Sequence, residues 1–171
     1  MMTLAIIGIV CATAYVSFSN ALPNIRADSA MQLLEVQLRQ AREVSVDQRR
    51  NVTVTFQGTA ETVTARVNLD ASTTQLSDYF LPYGMVYTLF TGVGDTPDGY
   101  GNAHAVTFGC TSLPCTITFL SDGSVLDGLG GSLNGSVFIG KAGQSTTARA
   151  VTILSATGKI KGYRYSGSAW R

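Results

Sequence analysis

The segment GKIKGYRYSGSAWR, residues 158–171, carries Lys159, Lys161, Arg164 and Arg171, with Tyr163, Tyr165 and Trp170 between them. Cations of this kind contact phosphates, and aromatic rings stack on bases, so the pattern suits a nucleic-acid contact. A hairpin that merely exposes its basic side chains has the same composition, and both readings stand. On a strand, Lys159 and Lys161 would face one side. The bias extends further back. From Lys141 onward the chain has six basic residues and no acidic one, whereas the first 140 residues hold six basic and all eleven acidic residues. The overall charge of +1 conceals this asymmetry, which favours an anionic partner for the C-terminal region.

Other residues capable of chemistry are few. Cys110 and Cys115 bracket TSLP, a short loop containing Pro114. That spacing is open to a disulfide in an oxidising compartment if the geometry allows. Without further Cys or His ligands nearby it is not a metal site. Cys11 lies in an apolar run and reads as a small packing residue. In GVGDTPDGYGNAH, residues 92–104, Asp95, Asp98 and Asn102 offer oxygens to a hard cation, but the spacing is not that of an EF-hand and Asp, Gly and Pro are ordinary turn residues. His104 is the sole histidine. It has no nucleophile–base arrangement around it, and no phosphate loop is present. The sequence therefore points away from an enzyme, from a small-molecule substrate and from any cofactor.

The elements that must carry these residues follow from periodicity. Residues 1–18 contain no Lys, Arg, Asp, Glu or Pro, and the first charge is Arg26. Such a run spans about 27 Å as a helix, close to the thickness of a bilayer core. A secretory signal would place positive charge ahead of the run, and none is there. Beyond it, SAMQLLEVQLRQAREVSVDQRR has apolar residues at Ala30, Leu33, Leu34, Val36, Leu38, Ala41, Val44 and Val46, and Glu35, Arg39, Arg42, Glu43 and Asp47 opposite. This predicts an amphipathic helix continuing from the apolar one, with Pro23 as a kink. After Arg50 the period falls to two in NVTVTFQ and ETVTARVNL, which predicts strands. Further strands are expected at 85–91, 103–108, 115–120, 136–139, 147–154 and 159–165. The fold class is α+β, a long N-terminal helix packed on an antiparallel β-rich head.

This arrangement resembles the type IV pilin and pseudopilin superfamily. LAIIGIV, at Leu4, Ala5, Ile6, Ile7, Gly8, Ile9 and Val10, is similar to the apolar run that follows F-[TS]-L-I-E-[LM] in that superfamily. That block does not precede the run here, which leads to the expectation that the chain begins inside the mature protein. The prepilin leader, the cleavage site and the methylated N-terminus would then lie upstream. The following stretch is similar to the early helix of the GspH/FimT group of minor pseudopilins at Ser17, Phe18, Ser19, Arg26, Ala30, Leu34, Leu38, Ala41 and Arg42, with Val16 in place of the group's proline. ITFLSDGSV resembles its F-x-x-D-G turn, and VTILSATGKIKGY its final hairpin.

The resemblance implies a pilin-like organisation. Residues 1–22 would be the transmembrane and filament-core half of the helix, 23–50 the amphipathic half, and 51–171 the head. It implies a structural minor subunit of a type II secretion pseudopilus or a type IV pilus that supports filament assembly and protein secretion. The subunit would sit in the bacterial inner membrane as a single-pass protein with a periplasmic head. Its partners would be other pilin-like subunits and, before assembly, membrane lipid. Some members of the FimT branch bind DNA in natural transformation through a G-R-x-R tail. Gly158-Lys159-Ile160-Lys161 is similar to it, with lysine in place of arginine. DNA is therefore an alternative partner.

Overall fold

The computed structural model describes the backbone of residues 2–58, 63–69, 75–82 and 84–171, and the side chains of 18, 21–57, 76, 78–82 and 84–171. One helix, α1 (Met2–Asp47), runs through Pro23 without a break. In its second half Ala27, Ala30, Leu34, Leu38, Ala41 and Ser45 are buried at steps of three and four, with Gln37 buried beside Leu38. These steps place them along one stripe of the helix. Val36 and Val46, expected on that apolar face, are instead exposed at 58% and 44%. Val36 lies about 200° around the helix from Leu34, so it cannot share that stripe.

Two antiparallel sheets pack against the stripe. The first has the order β3 (Gln75–Phe80), β2 (Val63–Leu69), β1 (Val52–Gly58), β5 (Cys115–Phe119) and β6 (Val125–Leu126). The second has the order β4 (Val86–Tyr87), β7 (Gly135–Gly140), β8 (Arg149–Leu154) and β9 (Lys159–Arg164). In β1 and β5, alternate residues are buried: Val52, Val54 and Phe56 against Cys115, Ile117 and Phe119. Together with Leu34 and Leu38 of α1 and Val137, Ile139, Val151 and Ile153 of the second sheet they form one apolar core.

β7 is buried along its whole length and β8 nearly so, because both faces of the second sheet are covered. α1 lies on one face. On the other, Phe90 and Val93 pack against Ala148, with Tyr165 and Trp170 alongside. This covering explains two departures from expectation. The segment 85–91 forms only the two-residue β4, and 103–108 contributes a single bridge, Val106 to Val137. Their apolar residues are buried by lying across a sheet rather than by joining a ladder. Gln75–Phe80 was not expected as a strand, being polar and poor in β-branched residues.

β9 crosses α1 closely. A Cβ at Gly162 would collide with the Glu35 carboxylate and crowd Met31, so a larger residue there requires the Glu35 side chain to swing aside. At the turn into β9, Gly158 has φ +61° and a Cβ there would strike the Gly123 carbonyl. The Arg42 Nε also donates to that carbonyl, at 3.3 Å, tying the end of α1 to both hairpins.

Candidate functional site

Each face of the β8–β9 hairpin holds cations, and strand parity sorts them. Ile160, Gly162 and Arg164 face α1, whereas Lys159, Lys161 and Tyr163 face the outer loop. The hairpin therefore does not gather Lys159, Lys161 and Arg164 on one surface.

On the α1 side stands Arg149, the first residue of β8, with a fully buried side chain. Its Nε donates to Asp28 Oδ1 at 2.5 Å, and its Nη1 donates to the carbonyls of Ala148 at 2.9 Å and Thr146 at 3.3 Å. Nη2 reaches the Asn24 carbonyl at 3.5 Å. A buried guanidinium is tolerated only when paired and hydrogen-bonded in this way. The second carboxylate oxygen of Asp28 lies 3.5 Å from Arg164 Nη1. One aspartate on α1 thus serves two arginines of the sheet and fixes the position of the helix on the head.

On the outer side, Lys161 Nζ donates to Asp98 Oδ1 at 2.6 Å and Thr152 Oγ1 donates to Asp98 Oδ2 at 2.7 Å. Burial pushes the Asp98 carboxyl up. Hydrogen bonds from Lys161, Thr152 and Tyr163, with the lysine charge, more than reverse this and hold it below the ordinary aspartate value. Hydrogen bonding to Asp98, helped by Tyr163, raises Lys161 above the ordinary lysine value. The arrangement ties the 92–104 loop to the sheet. Trp170 adds a second tie, its Nε1 donating to the Gly94 carbonyl at 2.8 Å.

Lys159 is exposed and lines a groove of about 600 Å³ at the far end of α1 with Arg39, Arg42, Glu43, Asp47 and Asp122. The alternating signs give no net field for phosphate. The loop oxygens considered for a cation are used separately. Asp95 accepts from the amides of Thr96 and Gly101, both at 2.7 Å, and Asn102 donates to the Val93 carbonyl at 3.4 Å. Among the described residues no group of His, Cys, Asp and Glu could hold a metal ion. A disulfide joins Cys110 and Cys115, with 5.8 Å between their Cα atoms. His104 is exposed.

The sequence reading missed Asp28, Arg149 and Asp98 as partners of the tail. Arg149 carried a signal, a lone arginine inside the apolar strand ARAVTIL. Leu4, Ala5, Ile6, Ile7, Gly8, Ile9 and Val10, expected in the membrane or filament core, have side chains outside the described residues. Among the described residues no helix is long and apolar enough to cross a membrane.

A long helix laid across two antiparallel sheets, with a C-terminal hairpin clasping it, defines a pilin-like α+β fold. The type IV minor pilin FimU of Pseudomonas aeruginosa (strain PAO1) has this architecture in two crystal forms. One aligns with TM-score 0.53 and 16% identity over 84% of this chain and 91% of its own. The other aligns with TM-score 0.52 and 17% identity over 82% of this chain and 94% of its own. No protein-family model and no curated protein sequence matches the chain.

Proposed function

We propose that the chain is a structural minor subunit of a pilin-like filament, either a type IV pilus or a type II secretion pseudopilus. The observation that carries this reading is the divided use of α1. Its second half is clamped to the head, while Phe18 and Ile25 stay 63% and 54% exposed. Phe18 and Val36 are five turns apart, and Ile25 falls within about 20° of the line joining them, so three apolar residues, with Ser29 and Gln32 between the last two, face away from the head. Such a helix, continuing into an uncharged run, suits burial first in the inner membrane and then among the helices of other pilin-like subunits. The organisation follows: 1–22 as anchor and filament core, 23–50 as the head-bound half-helix, 51–171 as a periplasmic head. Similarity to a type IV minor pilin supports the same reading.

The test is fractionation of native cells. The chain is expected in sheared filaments, and its deletion should reduce piliation or protein secretion. A chain that never enters filaments, and whose deletion changes neither process, would contradict the proposal. The alternative, a DNA-binding minor pilin, needs Lys159, Lys161 and Arg164 to act together. Salt-sensitive gel shifts of the full chain that disappear in a Lys159→Ala/Lys161→Ala/Arg164→Ala variant would favour it over a purely structural role.

A further inference from the structure

α1 leaves the head at Pro23 and Asn24, since Ala27 is the first fully buried residue of the helix among the described side chains. Two grooves flank the helix at this level. One, of about 440 Å³, is lined by Pro23, Asn24, Lys141 and the 143–147 turn. The other, of about 470 Å³, is lined by Asn24, Thr146, Arg164, Tyr165, Ser166 and Arg171. No Asp or Glu side chain lines either groove. Lys141 and Arg171 are exposed, and among the described residues neither is in an ion pair.

The second groove is built in a way that costs stability. Arg164 and Arg171 exchange both backbone hydrogen bonds, at 2.8 and 2.9 Å, so they stand directly opposite in an antiparallel pair. Their side chains project to the same face, where like charges repel. Asp28 relieves only Arg164, at 3.5 Å, and is already engaged by Arg149. With no Asp or Glu side chain against Arg171, the pair is left open to an external anion. Guanidinium pairs match phosphate oxygens in particular.

We infer that this pole of the head docks on the phosphates of anionic phospholipids, through Lys141, Arg164 and Arg171. The inference rests on the proposed membrane insertion of the apolar run. Asn24 lies six residues beyond Phe18, about 9 Å along a helix. The headgroup layer is about 6 Å deep on each side of a bilayer. Residues at the level of Asn24 therefore sit at or just above the phosphates, within the screening length of about 8 Å.

Trp170 is the only tryptophan of the chain and its neighbour in sequence is Arg171, so it reports the position of this pole. The experiment inserts the full chain into vesicles of phosphatidylcholine alone or mixed with phosphatidylglycerol. Each carries a headgroup-nitroxide lipid that quenches Trp170 fluorescence, and flotation in alkaline carbonate checks insertion. The expected result is flotation with both vesicles and several-fold stronger quenching with phosphatidylglycerol. That excess should fall at high salt and vanish in Lys141→Gln/Arg171→Gln, whose thermal melt should be no lower than that of the parent chain, since the like-charge pair is relieved. Equal quenching in both vesicles, or an excess that the double variant retains, would overturn the docking while leaving membrane insertion standing. Failure to float with either vesicle would overturn both. Displacement of the pole from phosphatidylglycerol by duplex DNA would assign the cations to a polynucleotide instead and overturn the lipid proposal.

Discussion

The two faces of the β8–β9 hairpin use the same device, a cation on an aspartate, in opposite surroundings. On the α1 side, Arg149 is fully buried against Asp28 and a ring of carbonyls. On the outer side, the Lys161 side chain remains 42% exposed beside Asp98. The first pair decides where a helix sits on a sheet; the second holds down a loop. Burial makes the difference, because an ion stripped of both water and partner costs far more than one that water can reach.

Breaking the buried pair should give the largest effect. Asp28→Ala leaves the guanidinium of Arg149 without its carboxylate and is expected to cost about 3 kcal/mol in urea unfolding. Arg149→Met, which removes the charge instead of orphaning it, should cost clearly less. A Met variant as damaging as the Asp28 variant would mean that the carbonyl contacts, not the ion pair, fix the helix. Next comes Gly158→Ala, which drives a methyl group into the Gly123 carbonyl at a position with φ +61° and should cost about 2 kcal/mol.

The outer face should respond more weakly. Asp98→Ala is expected to expose the 92–104 loop to limited proteolysis while lowering the melting temperature less than Asp28→Ala. Its pH dependence has a defined sign. The Asp98 carboxyl is held below its ordinary value, so its contribution is full above the normal aspartate range and is lost as the pH falls through the lowered value. Lys161 is raised, so its contribution is full below the ordinary lysine value and is lost as the pH rises through the raised one. Loop protection should thus hold through neutrality and fail only in acid, below the ordinary aspartate value. Protection unchanged into strong acid would show that Trp170, rather than Asp98, secures the loop. Smallest of all, Lys159→Ala should leave the melt unaltered.

The same contrast explains what could be read in the sequence. Period-3.6 spacing marked Leu34, Leu38 and Ala41, and alternation marked Val52, Val54 and Phe56, because each pattern is local and amphipathic. The 85–108 region misled because Met85, Tyr87, Phe90 and Phe108 are buried without an extended ladder. Apolar content reports burial, not the hydrogen-bonding that accompanies it. The ion pairs were invisible for another reason: Arg149 and Asp28 are 121 residues apart, and Lys161 and Asp98 are 63 apart. Parity alone, however, separates Lys161 from Arg164, and so divides the basic tail that composition presents as one patch.

The central claim is that the outward face of α1 belongs among the helices of other pilin-like subunits. The most direct measurement places a photo-activatable phenylalanine analogue at Phe18 of the full chain in native cells and identifies what it captures. The account predicts adducts with pilin-like subunits that depend on filament assembly. A folded, membrane-associated chain that captures none of them would contradict it.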